Sequence, residues 1–261
     1  MFVMVIIAIL VLIFMIVPIV MLYPVSLSST SYIVFPNEDY STQWFERILS
    51  DPEWILAIEN SLKIAIITTV VSLVLGVMVA VCMNRLPRKF KNPLDEYFRL
   101  PQTIPIIVTA ISVYALLLKM HLNGSVLGMV IAHTVIALPF VVSQINAGLT
   151  NTSINFEDAA VNLGSNRIRA FFDITLPMIK GAIGSAVLFA FLTSFDEIAV
   201  TMFVTGPSVI TIPKKMWDGI RLQIEPTIAA ISVIEVTILI VGFMLITLGQ
   251  IISKKKISKG E

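Results

Sequence analysis

The sequence predicts an all-α integral membrane protein with six transmembrane helices and both termini in the cytoplasm. Three observations predict it. The 261 residues are 57% hydrophobic and only 13% charged, with a mean hydropathy of +0.92, whereas soluble chains carry roughly 25% charge. Six apolar runs are continuous rather than alternating, so they read as helices and not as membrane strands. Basic residues gather on alternate connecting segments, which orients the runs.

The runs lie near Phe2–Tyr23, Ser61–Met83, Pro101–Leu118, Ser125–Ala147, Ile179–Val200 and Ile228–Ile252. Each holds about 20 residues, the length that crosses a hydrocarbon core of roughly 30 Å. The first run lacks a basic leader and an Ala-x-Ala site before Ser26–Ser31, so it is expected to be a retained helix rather than a signal peptide. An even number of spans returns the chain to its starting side. Residues 1–261 are expected to form one transmembrane domain, without a solenoid repeat or an inverted repeat.

Arg85, Arg88, Lys89, Lys91 and Arg99 lie between runs two and three, and Arg167, Arg169 and Lys180 follow run four. Lys254, Lys255, Lys256 and Lys259 fill the tail. The first loop instead carries Glu38, Asp39, Glu46, Asp51, Glu53 and Glu59 against Arg47 alone. The basic segments are expected inside, the acidic loop outside. The net charge of +1 decides nothing here. Cys82 is the single cysteine, which excludes an intrachain disulfide and a thiolate metal cluster.

The segment from about residue 150 to 178 faces the cytoplasm in this scheme and is patterned throughout. Asn155 suits an N-cap, with Glu157 and Asp158 complementing the positive helix N-terminus. Ala159 and Ala160 leave a bare surface for close approach. Gly164 permits a turn denied to other residues, after which Ser165 is expected to cap a second helix. Ile168, Phe171, Phe172 and Thr175 would form its apolar face, and Pro177 would end it.

That segment resembles the EAA loop of ABC importer permeases. Asp158-Ala159-Ala160, three residues, Gly164, nine residues and Ile174-Thr175-Leu176-Pro177 match the family pattern, with Asp in place of Glu at its first position. A narrower likeness to the PotC-type permeases of spermidine/putrescine importers is carried by Ala132-His133-Thr134, Leu138–Val142, Ser194-Phe195-Asp196-Glu197 and Phe203–Pro207. The resemblance implies a type I ABC importer (MetI-like) permease fold in a bacterial cytoplasmic (inner) membrane. It implies that Asp158, Ala159, Ala160, Gly164, Ile174, Leu176 and Pro177 couple to an ATPase. It further implies a second permease, related but different, two ATP-binding subunits and an extracytoplasmic solute-binding protein. No Gly-x4-Gly-Lys-Ser/Thr loop occurs, so the chain itself is expected to bind no cofactor, with ATP and Mg on the partner.

Asp196 and Glu197 sit inside an apolar stretch, where acids ordinarily face a protein interior or a water-filled cavity. On a helix continuing to Val200, Glu197 would share a polar stripe with Thr193 and Thr201. That stripe would lie opposite a small-residue packing face of Gly181, Gly184, Ser185 and Ala190. Paired acids suit the ammonium groups of a polyamine; alternatively, the helix ends at Phe195 and the acids lie in the outer headgroup zone. Glu235 is a second acid within a span, facing the pathway or paired with Lys63 or another donor. His133 reads as a hydrogen-bonded packing residue or a proton relay. The outer loop near 205–227 carries a short apolar face of Met216, Trp217 and Ile220, with Trp217 as an interface anchor or a cation-π ligand.

No nucleophile–base pair or metal-ligand spacing is evident, so neither a catalytic nor a metal site is expected. The solute read from the resemblance is a polyamine; an amino-acid derivative, thiamine or ferric iron is the alternative for the same permease type. An ATP-independent channel would need no docking loop.

Overall fold

The computed structural model describes residues 2–32, 35–37, 39–150, 155–222 and 225–258, with the side chains of residues 2, 155, 243 and 245–258 outside the description. The expected capping by Asn155 therefore lies outside the described residues, as do Glu38, Lys259 and the side chains of Lys254, Lys255 and Lys256. The helices are α1 (Phe2–Ser26), α2 (Gln43–Ser50), α3 (Pro52–Arg85), α4 (Arg88–Thr103), α5 (Ile106–Lys119), α6 (Val126–Thr150) and α7 (Asn155–Asn162). They continue with α8 (Arg167–Ala170), a π turn at Phe171–Thr175, α9 (Leu176–Met178), α10 (Lys180–Phe195), α11 (Thr201–Val204), α12 (Ile212–Leu222) and α13 (Pro226–Ser258). Among the described residues the one strand pairing is an isolated antiparallel bridge between Ser28 and Tyr40.

Among the described residues, three helices are long and apolar enough to cross a membrane: Val3–Ser26, Pro52–Arg85 and Val126–Thr150. Two bent pairs bring the number to five if each is one span. In the described part of α13 the apolar helix Pro226–Gly242 is shorter.

Both bends correct the expected spans. Run three is not one straight helix over Pro101–Leu118, because α4 and α5 meet at 97°. Pro105 lacks the N–H to continue the ladder and drives Ile104 into an extended conformation, φ −83° and ψ 137°. Run five is likewise preceded by Arg167–Met178 at 75°, with the break at Ile179. Its helix also stops at Phe195 rather than reaching Val200.

The chain forms two compact units, residues 1–55 with 216–261 and residues 56–215; the boundaries fall inside α3 and α12. In the first unit α1 packs along α13, and Tyr23 Oη lies 3.0 Å from Thr237 Oγ1. Large apolar side chains point outward all round α1, with Phe14 79% and Met4 74% exposed. A helix apolar on every side is stable when lipid is its solvent. Trp44 of α2 is buried and donates from Nε1 to the Ser28 carbonyl, and Arg47 pairs with Glu225 at 3.0 Å.

In the second unit α3, α6 and α10 enclose Ala80, Ala137, Val141, Ile145, Leu149, Ile179, Ala186 and Ala190. A neighbouring cluster joins Ile64, Val113, Leu117, Met129, Val200 and Val204. Small residues set the spacing. A Cβ placed on Gly148 of α6 would stand 2.4 Å from Ala182 Cβ of α10, so these backbones touch without clearance. The close face of α10 is therefore Ala182, Ala186 and Ala190. The expected packing by Gly181 and Gly184 is not seen, since nothing lies within 4 Å of either position.

Candidate functional site: a tied docking segment

The patterned segment folds as two helical pieces joined by a glycine turn, and local chemistry explains each joint. At the end of α7, Ser165 N–H donates to the Ala160 carbonyl at 2.9 Å and Gly164 N–H to the Val161 carbonyl at 3.0 Å. This is the paired bonding of a Schellman ending, which requires a left-handed residue. Gly164 supplies it at φ +96°. The next cap comes from Asn166 rather than from Ser165. Asn166 Oδ1 accepts from Ile168 N–H at 3.0 Å, whereas the Ser165 hydroxyl turns to the Asn166 carbonyl.

Pro177 does not end the second piece. It lies within α9, directly after the π turn at Phe171–Thr175. A π turn holds an extra residue, so the expected i, i+3, i+4, i+7 face does not stay on one side. Ile168 is 68% and Phe172 58% exposed, Phe171 is half-buried, and Thr175 is buried.

Thr175 is buried because it has a polar partner. Its hydroxyl donates to Glu157 Oε2 at 2.8 Å, while Glu157 Oε1 takes the guanidinium of Arg85 at the end of α3. One carboxylate thus ties α7 to both α3 and the π turn. Sequence reading placed Glu157 only as a helix-dipole partner and Thr175 only on an apolar face. The available signal was an acid immediately before the motif and an arginine ending the second run. Asp158 itself is exposed and lines a cavity of about 240 Å³ with Asn84, Arg85, Glu157, Arg167 and Ile174.

The segment presents apolar surface on its open side. Leu163 is 90% and Phe156 56% exposed, next to exposed Ala159 and half-buried Ala160. Ile174 and Leu176 are half-buried and Pro177 is exposed. The motif residues are therefore together, shaped by Gly164 and held by Glu157.

The acids after α10 follow the alternative in which the helix ends at Phe195, not the helical stripe. Asp196 is the C-cap of α10, φ −95° and ψ 7°, and is exposed. Glu197 is 8% exposed and lies beyond the helix, so no helical stripe joins it to Thr193. Its Oε1 accepts from Val200 N–H at 2.9 Å at the start of α11.

Next to it is a buried polar knot. Thr201 Oγ1 donates to the Glu197 carbonyl at 2.7 Å. That spends the hydroxyl proton, so His133 Nε2, 3.2 Å away, must donate to Thr201. His133 Nδ1 faces Ser194 Oγ at 2.9 Å. Thr193, Asp196 and Glu197 are thus near one end of α10. Trp217 and Glu235 belong to the other unit, where Arg221 lies over the Trp217 ring at 5.6 Å and Glu235 is half-buried on α13.

Residues 72–259 match the family of binding-protein-dependent transport system inner membrane components. The chain belongs to that family. It is accordingly a membrane permease subunit of an ABC importer rather than an enzyme, with the ATPase on a separate subunit. The permease is 30% identical over 239 residues to the putrescine transport system permease protein PotI of Escherichia coli (strain K12), covering 88% of this chain and 85% of the relative. It is 24% identical over 219 residues to the spermidine/putrescine transport system permease protein PotC of the same organism, covering 84% and 82%. The PotC homolog of Mycoplasma genitalium is 29% identical over 225 residues, covering 85% and 78%. Among solved structures, a bacterial ABC transporter involved in the import of the acidic polysaccharide alginate aligns with a TM-score of 0.75 at 15% identity, over 93% of this chain and 94% of the other. At that identity the likeness speaks for the fold, which is the MetI-like permease fold.

Proposed function

We propose that this permease moves polyamines inward, as one of a pair with a related but different permease. Two ATP-binding subunits carrying ATP and Mg, and an extracytoplasmic binding protein, complete the transporter. Its place is the bacterial inner membrane, crossed six times, with both termini and the tied segment in the cytoplasm. The observation that carries the solute is the 30% identity over 88% of the chain to a putrescine permease. The basic segments around Arg85–Arg99 and Arg167–Lys180 support the orientation.

Within this reading, Asp158, Ala159, Ala160, Gly164, Ile174, Leu176 and Pro177 form the element that enters the ATPase. Leu163 supplies apolar contact, and Glu157 keeps the element attached to the spans. Of the two acids after α10, exposed Asp196 meets the ammonium group, while Glu197 positions α11. Thr193 lies one turn before Asp196, and Trp217 and Glu235 are separate candidates for solute contact.

The test is uptake of labelled putrescine and spermidine by proteoliposomes holding the complete complex, with and without ATP and binding protein. ATP-dependent uptake that unlabelled polyamine competes away is the expected result, and Asp196→Asn should raise the KM for it. Hydrolysis stimulated by another solute without polyamine movement overturns the substrate. Transport without any ATPase overturns the coupling role of residues 155–178.

A further inference from the structure

The second unit carries an open apolar groove of about 620 Å³ that the docking role does not use. Val77, Met78, Val81 and Cys82 of α3 form one wall, and Ile168 and Phe171 of the docking segment form the other. Its rim is basic, with Arg85 and Arg167. These two are not equivalent. Arg85 already holds Glu157, whereas Arg167 is exposed and has no ion-pair partner among the described residues.

The groove is continuous with a stripe along α3. Ile66, Val70, Val74 and Met78 recur every fourth residue and are 53%, 56%, 54% and 65% exposed, and Cys82 is the next step. From Ile66 to Met78 the helix rises roughly 18 Å, close to one leaflet of a core about 30 Å thick. An apolar track of leaflet length that ends at a guanidinium in no ion pair among the described residues has the chemistry of an acyl chain below a phosphate. A helix of a partner protein would match the apolar track but would have to bring an acid to Arg167. Basic pockets at the inner face of spans accept anionic headgroups, and the positive-inside rule puts this end of α3 there.

We propose that this groove holds one anionic phospholipid, its phosphate on Arg167 and an acyl chain along Met78, Val74 and Val70. The bound lipid would bridge α3 to the docking segment, beside the tie made by Glu157. This assignment does not depend on which solute the permease carries.

Cys82, the one cysteine of the chain, lies in the groove and reports its occupancy. The delipidated complex in detergent is reacted with a maleimide, and modification is read on the peptide containing Cys82 as phosphatidylglycerol or phosphatidylcholine is added. Phosphatidylglycerol is expected to slow the reaction at least about fivefold at concentrations where phosphatidylcholine has no effect, the factor that one basic contact confers at an anionic surface. Arg167→Gln should abolish the difference between the lipids, and Arg167→Lys should keep most of it. Equal slowing by both lipids, or protection retained in Arg167→Gln, overturns the proposal. A Cys82 already unreactive before lipid is added also overturns it, because protein then covers the groove.

Discussion

Replacing Glu157 with glutamine tests the tie that holds the docking segment. Gln keeps the volume and an acceptor for the Thr175 hydroxyl, so what is lost is the ion pair with Arg85. The Arg85 side chain is 39% and the Glu157 side chain 13% exposed, which places the pair between surface and interior. Exposed pairs contribute about 0.2–1 kcal/mol, and breaking a fully buried pair costs about 3–5 kcal/mol. Discounted for the open side of Arg85, the expected cost is about 1–2 kcal/mol. That is a rise of about five- to thirtyfold in the population of the detached segment. Hydrogen exchange measures it directly, since amides of α7 exchange through local opening. Their protection in the assembled complex should fall by that factor, while the amides of α6 keep theirs. In proteoliposomes the same variant should move less solute per ATP hydrolysed. A double-mutant cycle with Arg85→Gln should recover a coupling of about 1 kcal/mol or more. Unchanged α7 exchange, or two additive variants, would refute the idea that this carboxylate fastens the segment.

Two further perturbations address the frame. Gly148→Leu drives a side chain into Ala182, 2.4 Å from the first added carbon, and should destabilise by about 1–3 kcal/mol; thermal unfolding of the complex should show a lowered Tm, and Gly181→Ala, which meets nothing within 4 Å, should not. His133→Phe keeps a ring in the core but leaves the buried Ser194 hydroxyl without its partner, at about 1–3 kcal/mol, while Thr201 keeps its bond to the Glu197 carbonyl; a Tm equal to that of the parent would show that the knot adds nothing to stability.

Much of the architecture was legible because a membrane imposes a length. The runs at Phe2–Tyr23, Ser61–Met83 and Ser125–Ala147 each correspond to a longer unbroken helix, since hydropathy alone decides there. The bend at Ile104 is marked by Pro101 and Pro105, which interrupt the ladder inside an otherwise continuous apolar run. The end of α10 at Phe195 stood in the sequence only as an alternative. Neither Gly nor Pro stands there, and the contact of Glu197 with Val200 N–H just beyond that end is one that composition does not encode. In the docking segment, the spacing to Gly164 announced a left-handed turn. The role of Glu157 did not show, because its partner Arg85 is 72 residues away in sequence. Asn166 in place of Ser165 is a shift of one residue between two competent caps. The π turn, by moving Thr175 inward, undid a periodicity argument that assumed α geometry throughout.

The contact of Gly148 with Ala182 has a mechanical consequence. The docking segment leaves α6 at Thr150 and rejoins the spans at Lys180, so both its ends are rooted in helices that touch with no play between them. Under the proposed coupling role, a force on the segment would reach both roots together. The bond from Glu157 to Arg85 gives the segment a second fastening on α3, so in that proposed role the stroke of an attached ATPase would be delivered to three helices together.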